Sequence, residues 1–151
     1  MITARVTITS SPPSPKNAER AADIAEYEAA KNDRIAAQVA AYEKGKEEMK
    51  RRALEMQATL AERFPRCFSL QQPKPLKIGI DRDILAAMPG VSETDVYGAL
   101  KLYTGTRAYH RAMAAEGAVR IDLNGATSGA VKPPHAGFAR FKLRRSGQRF
   151  K

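Results

Sequence analysis

The sequence holds one cysteine, Cys67, and two histidines, His110 and His135. A lone cysteine excludes an internal disulfide, and so few soft ligands argue against a structural zinc site. No apolar run approaches the roughly 18 residues that mark a membrane span. The opening residues, MITARVTITSSPPSPK, lack the apolar stretch of a secretory leader. These absences make a cytoplasmic protein with no membrane partner the expectation. Catalytic signatures are equally scarce. There is no Walker-type phosphate loop and no GxGxxG run; Gly125 and Gly129 are isolated turn glycines. His110 has no carboxylate partner at a useful spacing, and His135 follows two prolines, so both read as partly exposed helix residues. Cys67 lies between Arg66 and Phe68; an inert buried thiol is favoured over one activated by the guanidinium. Asp81 suits a helix cap and Asp83 an electronegative first turn. With no acid–base pair to defend, the expectation is a non-enzyme with no cofactor and no metal.

Acidic residues are scarce in only one part of the chain. Residues 16–63 carry 10 basic and 10 acidic side chains, whereas residues 64–151 carry 15 basic and 6 acidic. The net charge of +10 therefore belongs almost wholly to the C-terminal part. A concentrated positive field attracts polyanions. A membrane-lying helix needs a long apolar face opposite the basic one. Here the basic part is broken into short elements by proline and glycine, which favours nucleic acid.

At 151 residues the chain has room for one modest domain. Residues 1–17 are rich in Ser, Thr and Pro and read as a disordered arm. From Ala18 to Phe64 there is no proline and one glycine, Gly45. Alanine, glutamate, lysine and arginine dominate this stretch, which predicts a long helix, free over 18–52 and docked beyond. Ile35, Tyr42, Met49 and Met56 recur every seven residues, with Val39, Ala53 and Leu60 four later, but Lys46 and Glu28 interrupt the pattern. A solvated helix with a weak stripe, and hence a monomer, is expected; a weak coiled-coil dimer is the alternative. Pro65 ends this helix. LKIGI reads as a strand with Leu76, Ile78 and Ile80 on one face and Lys77 on the other. Asp81 would cap a helix to Met88, SETD at Ser92–Asp95 another to about Leu102, and Thr104 or Thr106 a third to Glu116, closed by Gly117. VRIDLNG alternates, so Arg120 and Asp122 face away from Val119, Ile121 and Leu123; an Asn-Gly turn and a return strand follow. Pro133 and Pro134 start a last helix. The fold class is mainly α with short β-hairpins (α+β): a compact domain over 53–143 and a basic tail over 144–151.

Four of these segments, ERFPRCF, PLKIGI, ALKLYTGTRAY and GAVRIDLNG, stand in one order over about Leu60 to Leu143. In this the chain resembles the ProQ/FinO family of bacterial RNA chaperones, and the preceding helix resembles the N-terminal extension of the FinO branch. The resemblance implies binding of structured RNA, a stem-loop followed by a single-stranded 3′ tail as at intrinsic terminators. It also implies protection of small or antisense RNAs and pairing with target mRNA, without cofactor or covalent chemistry. The implied RNA-binding residues are Lys74, Lys77, Lys101, Tyr103, Thr104, Thr106, Arg107, Tyr109, Arg111 and Arg120. Lys77 and Arg120 would hold cations on stiff strands facing phosphates. YTGTRAY would place Thr104 and Thr106 hydroxyls at a helix N-terminus that receives the 3′-terminal nucleotide, with Tyr109 against a sugar or base. Arg107 and Arg111, four residues apart, would extend the positive surface along the stem. Departures are visible: Tyr97 stands where arginine is common, and Gly105-Thr106 where serines are common. Two other classes stay open, a DNA-binding regulator and a coiled-coil adaptor with a basic protein-binding domain.

Overall fold

The structure, a computed structural model, describes residues 10–148. It contains α1 (Pro15–Arg63), α2 (Ile80–Ala87), α3 (Glu93–Thr104), α4 (Arg107–Ala114), β1 (Val119–Ile121), β2 (Thr127–Ala130) and α5 (Pro133–Gln148). The chain forms two compact units, residues 1–45 and 46–151. Residues 10–45 consist of a short irregular lead and the exposed first part of α1. The helix begins at Pro15, so the end of the expected disordered arm is helical; the rest of that expectation for residues 1–9 lies outside the described residues. Ile35, Val39 and Tyr42 of the seven-residue stripe are exposed. No helix among the described residues is long and apolar enough to cross a membrane.

In residues 46–151 the stripe meets a core. Ala53 and Leu60 are buried, and Met56 packs against the same cluster. The approach of α1 to α3 is close because Gly98 has no side chain: a Cβ placed there would lie 3.1 Å from the Cβ of Ala53. Phe68, Tyr103 and Tyr109 continue the core as edge-on rings, with centroids 5.2 and 5.8 Å apart. Helix α3 starts as its sequence predicts, with the Ser92 hydroxyl accepting from the Asp95 amide. Helix α4 starts in the same way at Thr106, whose hydroxyl accepts from the Tyr109 amide at 3.2 Å. It ends at Ala114, short of Glu116, and Gly117 holds the following turn at φ 69°. β1 and β2 form an antiparallel hairpin with a register irregularity between Val119 and Ile121. Its turn is held by Asp122, whose carboxylate accepts from the Asn124 and Ala126 amides. Helix α5 extends to Gln148, so much of the expected basic tail is helical; residues 149–151 lie outside the described residues.

Two strand expectations need correction. LKIGI is not a strand. Leu76 makes a single parallel bridge to Ile121, with the Lys77 amide donating to Ile121 and the Ile121 amide to Pro75. Gly79 then adopts φ 83°, a left-handed conformation that turns the chain straight into α2. Ile78 is consequently 64% exposed instead of sharing a buried face with Leu76 and Ile80. Gly79 also takes the capping position expected of Asp81, which sits inside the first turn. In β1 the alternation is lost: Val119 is exposed, while Arg120 and Ile121 are both buried. The Leu76 segment and the start of α5 supply partners for Arg120 that a period-two pattern cannot register.

Candidate RNA-binding site

The junction between α3 and α4 is built by capping. Thr104 turns its hydroxyl back to donate to the Leu100 carbonyl at 2.8 Å. Thr106 donates to the Tyr103 carbonyl at 3.0 Å while capping α4. Both hydroxyls are therefore committed to the backbone. Their side chains also open in different directions. Thr104 borders a cleft of about 570 Å³ shared with Lys101, Arg107, Tyr109 and His110. Thr106 borders a second cleft of about 720 Å³, with Lys46, Met49, Lys50 and Leu102. Gly105 and Lys101 line both. The single pocket expected at YTGTRAY is thus two clefts on either side of one junction. Arg107 is exposed and donates to the Ser146 hydroxyl at 3.1 Å, which ties α4 to α5.

The two tyrosines of the implied set lie inside. Tyr103 is buried, and its hydroxyl accepts from the Ser69 amide and donates to the Ser69 carbonyl. Tyr109 is buried too, and its hydroxyl accepts from the Leu76 amide at 3.1 Å. Burial raises the pKa of both phenols. The reason is geometric: one turn into α4, Tyr109 points inward at Tyr103, not outward at a ligand. Both rings shape the floor beneath the candidate surface.

The cations divide into three kinds. Lys74, Lys101, Arg107 and Arg111 are exposed. Lys77 is half-buried and bound to Asp83 at 2.8 Å, and this hydrogen bond, then the charge of Asp83, raises its pKa. Arg120 is only 9% exposed. Its Nη1 donates to the Leu76 carbonyl at 2.8 Å and its Nη2 meets His135 Nδ1 at 3.0 Å. A guanidinium can only donate, so Nδ1 is the acceptor in this contact. Nε is buried without a partner. Leu76 is thereby held at both ends, its amide by Tyr109 and its carbonyl by Arg120. Arg120 is a clamp on the segment that carries Lys77, and not the outward strand cation that alternation implied.

Lys101, Thr104, Arg107 and Tyr109 come together at the first cleft; Lys74, Lys77, Arg111 and Arg120 do not line it. Lys74 instead borders a polar depression of about 500 Å³ with Arg66, Ser69, Gln72 and Asn124. Arg66 and His135 are not among the expected RNA-binding residues. Arg66 carried one usable signal, its place directly after the helix-ending Pro65. His135 carried none, because its partner lies 15 residues away in β1. Cys67 is buried, and burial pushes its thiol up to about 12. Among the described residues, no cluster of His, Cys, Asp and Glu could hold a metal ion.

The fold and this surface define a small, mainly helical domain with exposed cations around a helix junction. The model of the ProQ/FinO family matches residues 49–151. Two curated relatives, each called RNA chaperone ProQ, come from Histophilus somni strains 2336 and 129Pt. Each is 44% identical over 93 residues, which is 59% of this chain. The match spans 44% of the length of those relatives. An NMR structure of a ProQ homolog from Legionella pneumophila is similar at 29% identity and TM-score 0.52, covering 62% of this chain and 81% of that one. A crystal structure of a FinO-like RNA chaperone from Neisseria meningitidis MC58 is similar at 26% identity and TM-score 0.52, covering 60% and 93%. The chain belongs to the ProQ/FinO family.

Proposed function

We propose that this chain is an RNA chaperone that binds the lower stem and single-stranded 3′ tail of terminator-like hairpins. In this reading it protects small or antisense RNAs and promotes their pairing with target mRNA. It uses no cofactor and performs no covalent chemistry. Family membership and the names of the relatives support this reading. The observation that carries it is the α3–α4 junction, where Lys101 and Arg107 flank the start of α4. A helix N-terminus presents free amides and partial positive charge, which suits a terminal phosphate or the hydroxyls of a 3′ end. A-form RNA hides its base edges, so a duplex is held through phosphates and 2′-hydroxyls by cations on a rigid frame. Lys74, Lys77 and Arg111 are assigned that work. Arg120, Tyr103 and Tyr109 act beneath them, by fixing Leu76 and Ser69.

The test is equilibrium binding to one hairpin in three forms: RNA with a free 3′ hydroxyl, the same RNA with a 3′ phosphate, and DNA of matched sequence. The free RNA should bind tightest and the DNA weakest. Equal binding of all three would leave a nonspecific polyanion binder and overturn the proposal.

A further inference from the structure

Helix α5 has an outer face that the RNA-binding set above does not use. Its inner side packs through Ala139, which is buried, and is tied to α4 by Ser146. On the outside, Phe138 is 57% exposed and Phe141 45% exposed. Lys142 Nζ lies 5.4 Å from the centre of the Phe138 ring, and the Arg145 guanidinium 5.9 Å from that of Phe141. At 100° per residue these four side chains fall within about 100° of arc, so they form one continuous stripe. The two rings, three residues apart, have Cβ atoms roughly 5–6 Å from each other. Phe138 and Lys142 also border the cleft at the α3–α4 junction, so the stripe leads away from that cleft. The described part of α5 carries Arg140, Lys142, Arg144 and Arg145 and no acidic residue.

Exposed aromatic rings in a row, each beside a cation, are what unpaired nucleotides require: a flat apolar surface for the base and a positive charge for its phosphate. An acid-free helix selects an anionic occupant, and the rings select one with planar faces. We propose that the outer face of α5 is a stacking platform for two unpaired nucleotides of the bound RNA. Phe138 and Phe141 receive the bases, and Lys142 and Arg145 turn from the rings to the phosphates. Stacking is tolerant of base identity, so this platform adds affinity for single-stranded RNA without specifying sequence. The inference rests on the RNA-binding reading above and adds a second, separable contact to it.

The test uses the full chain with Phe138→Leu and Phe141→Leu together, which keeps helix propensity and apolar bulk but removes the rings. Binding is measured to a hairpin with single-stranded flanks and to a blunt hairpin with the same stem. The flanked RNA should lose at least about tenfold, given the usual strength of base–aromatic stacking, and the blunt hairpin less than about twofold. 2-Aminopurine placed in the flank should be quenched by the wild type and not by the variant; the chain has no tryptophan to interfere. Lys142→Gln with Arg145→Gln should reduce the slope of log K against log salt by about 1.4 on flanked RNA, two single-strand phosphate contacts, whereas the phenylalanine variant should leave it unchanged. Equal losses on both hairpins, with unchanged circular dichroism, would overturn the platform as a mere structural effect. No loss on either would also overturn it. A wild type that binds neither RNA would instead defeat the RNA-binding reading itself.

Discussion

Replacing Arg120 by alanine separates a clamp from a phosphate contact. The substitution removes the 2.8 Å hydrogen bond to the Leu76 carbonyl and the 3.0 Å contact with His135. A hydrogen bond from a charged group contributes about 1.5–3 kcal/mol, and a buried acceptor left alone costs about 1–3 kcal/mol. One term works the other way. The wild-type guanidinium has a buried Nε with no partner, and that penalty disappears with the side chain. The net loss should be about 2 kcal/mol. For a unit of about 100 residues, each kcal/mol moves Tm by about 4–8 °C, so Tm should fall by about 8–16 °C. Thermal melts followed by circular dichroism read this directly. Hairpin affinity, measured cold where the variant is folded, should fall by less than about fivefold, or about 1 kcal/mol. An unchanged Tm with an affinity loss of tenfold or more would refute the reasoning, because the guanidinium would then be reaching RNA and not Leu76.

Three further outcomes follow from the same geometry. Asp83→Asn releases Lys77 from its 2.8 Å partner; the pair is solvent-screened, so hairpin affinity should rise about two- to fivefold at low salt with little change in Tm. An affinity that falls would show that Asp83 positions Lys77 for RNA. Gly98→Val pushes a side chain into Ala53 and should destabilise by about 1–3 kcal/mol in denaturant titrations, with partial rescue by Ala53→Gly; full tolerance would mean that α1 and α3 can move apart. Burial holds the Cys67 proton on up to about 12, against an ordinary 9.0, and raises Tyr103 and Tyr109 in the same sense. The folded state keeps protons that the unfolded chain releases, so this stability is present below pH 9 and is lost as pH rises toward 12. The urea midpoint should fall over that window, and a flat profile would contradict the burial.

Local chemistry made much of the fold legible. Helix α1 is written in an alanine- and charge-rich run, α3 in its Ser92 cap, and the hairpin in its Asn-Gly turn. The four ordered motifs, ERFPRCF, PLKIGI, ALKLYTGTRAY and GAVRIDLNG, lie within the residues that match the ProQ/FinO family. What failed depends on partners distant in sequence. Period-two alternation places a side chain on a face but cannot say which face is covered. Arg120 is covered because Leu76, 44 residues earlier, and His135 meet it. The resemblance implies Tyr109 against a sugar or base, whereas its hydroxyl accepts from the Leu76 amide, 33 residues away. Ile78 was assigned inward by spacing alone, and the left-handed Gly79 turns it out. For Arg120 and Tyr109 a hydrogen bond to a residue far along the chain decided the direction of the side chain, and for Ile78 the left-handed turn at its neighbour did.

The central claim is that cations on a rigid helical frame hold an RNA phosphate backbone. The most direct measurement is the equilibrium constant for a tailed RNA hairpin over a range of salt concentrations. If about five phosphates are neutralised by residues such as Lys74, Lys77, Lys101, Arg107 and Arg111, log K should fall against log salt with a slope of about −3.5 to −4.5. A slope near zero, with binding intact, would contradict the account.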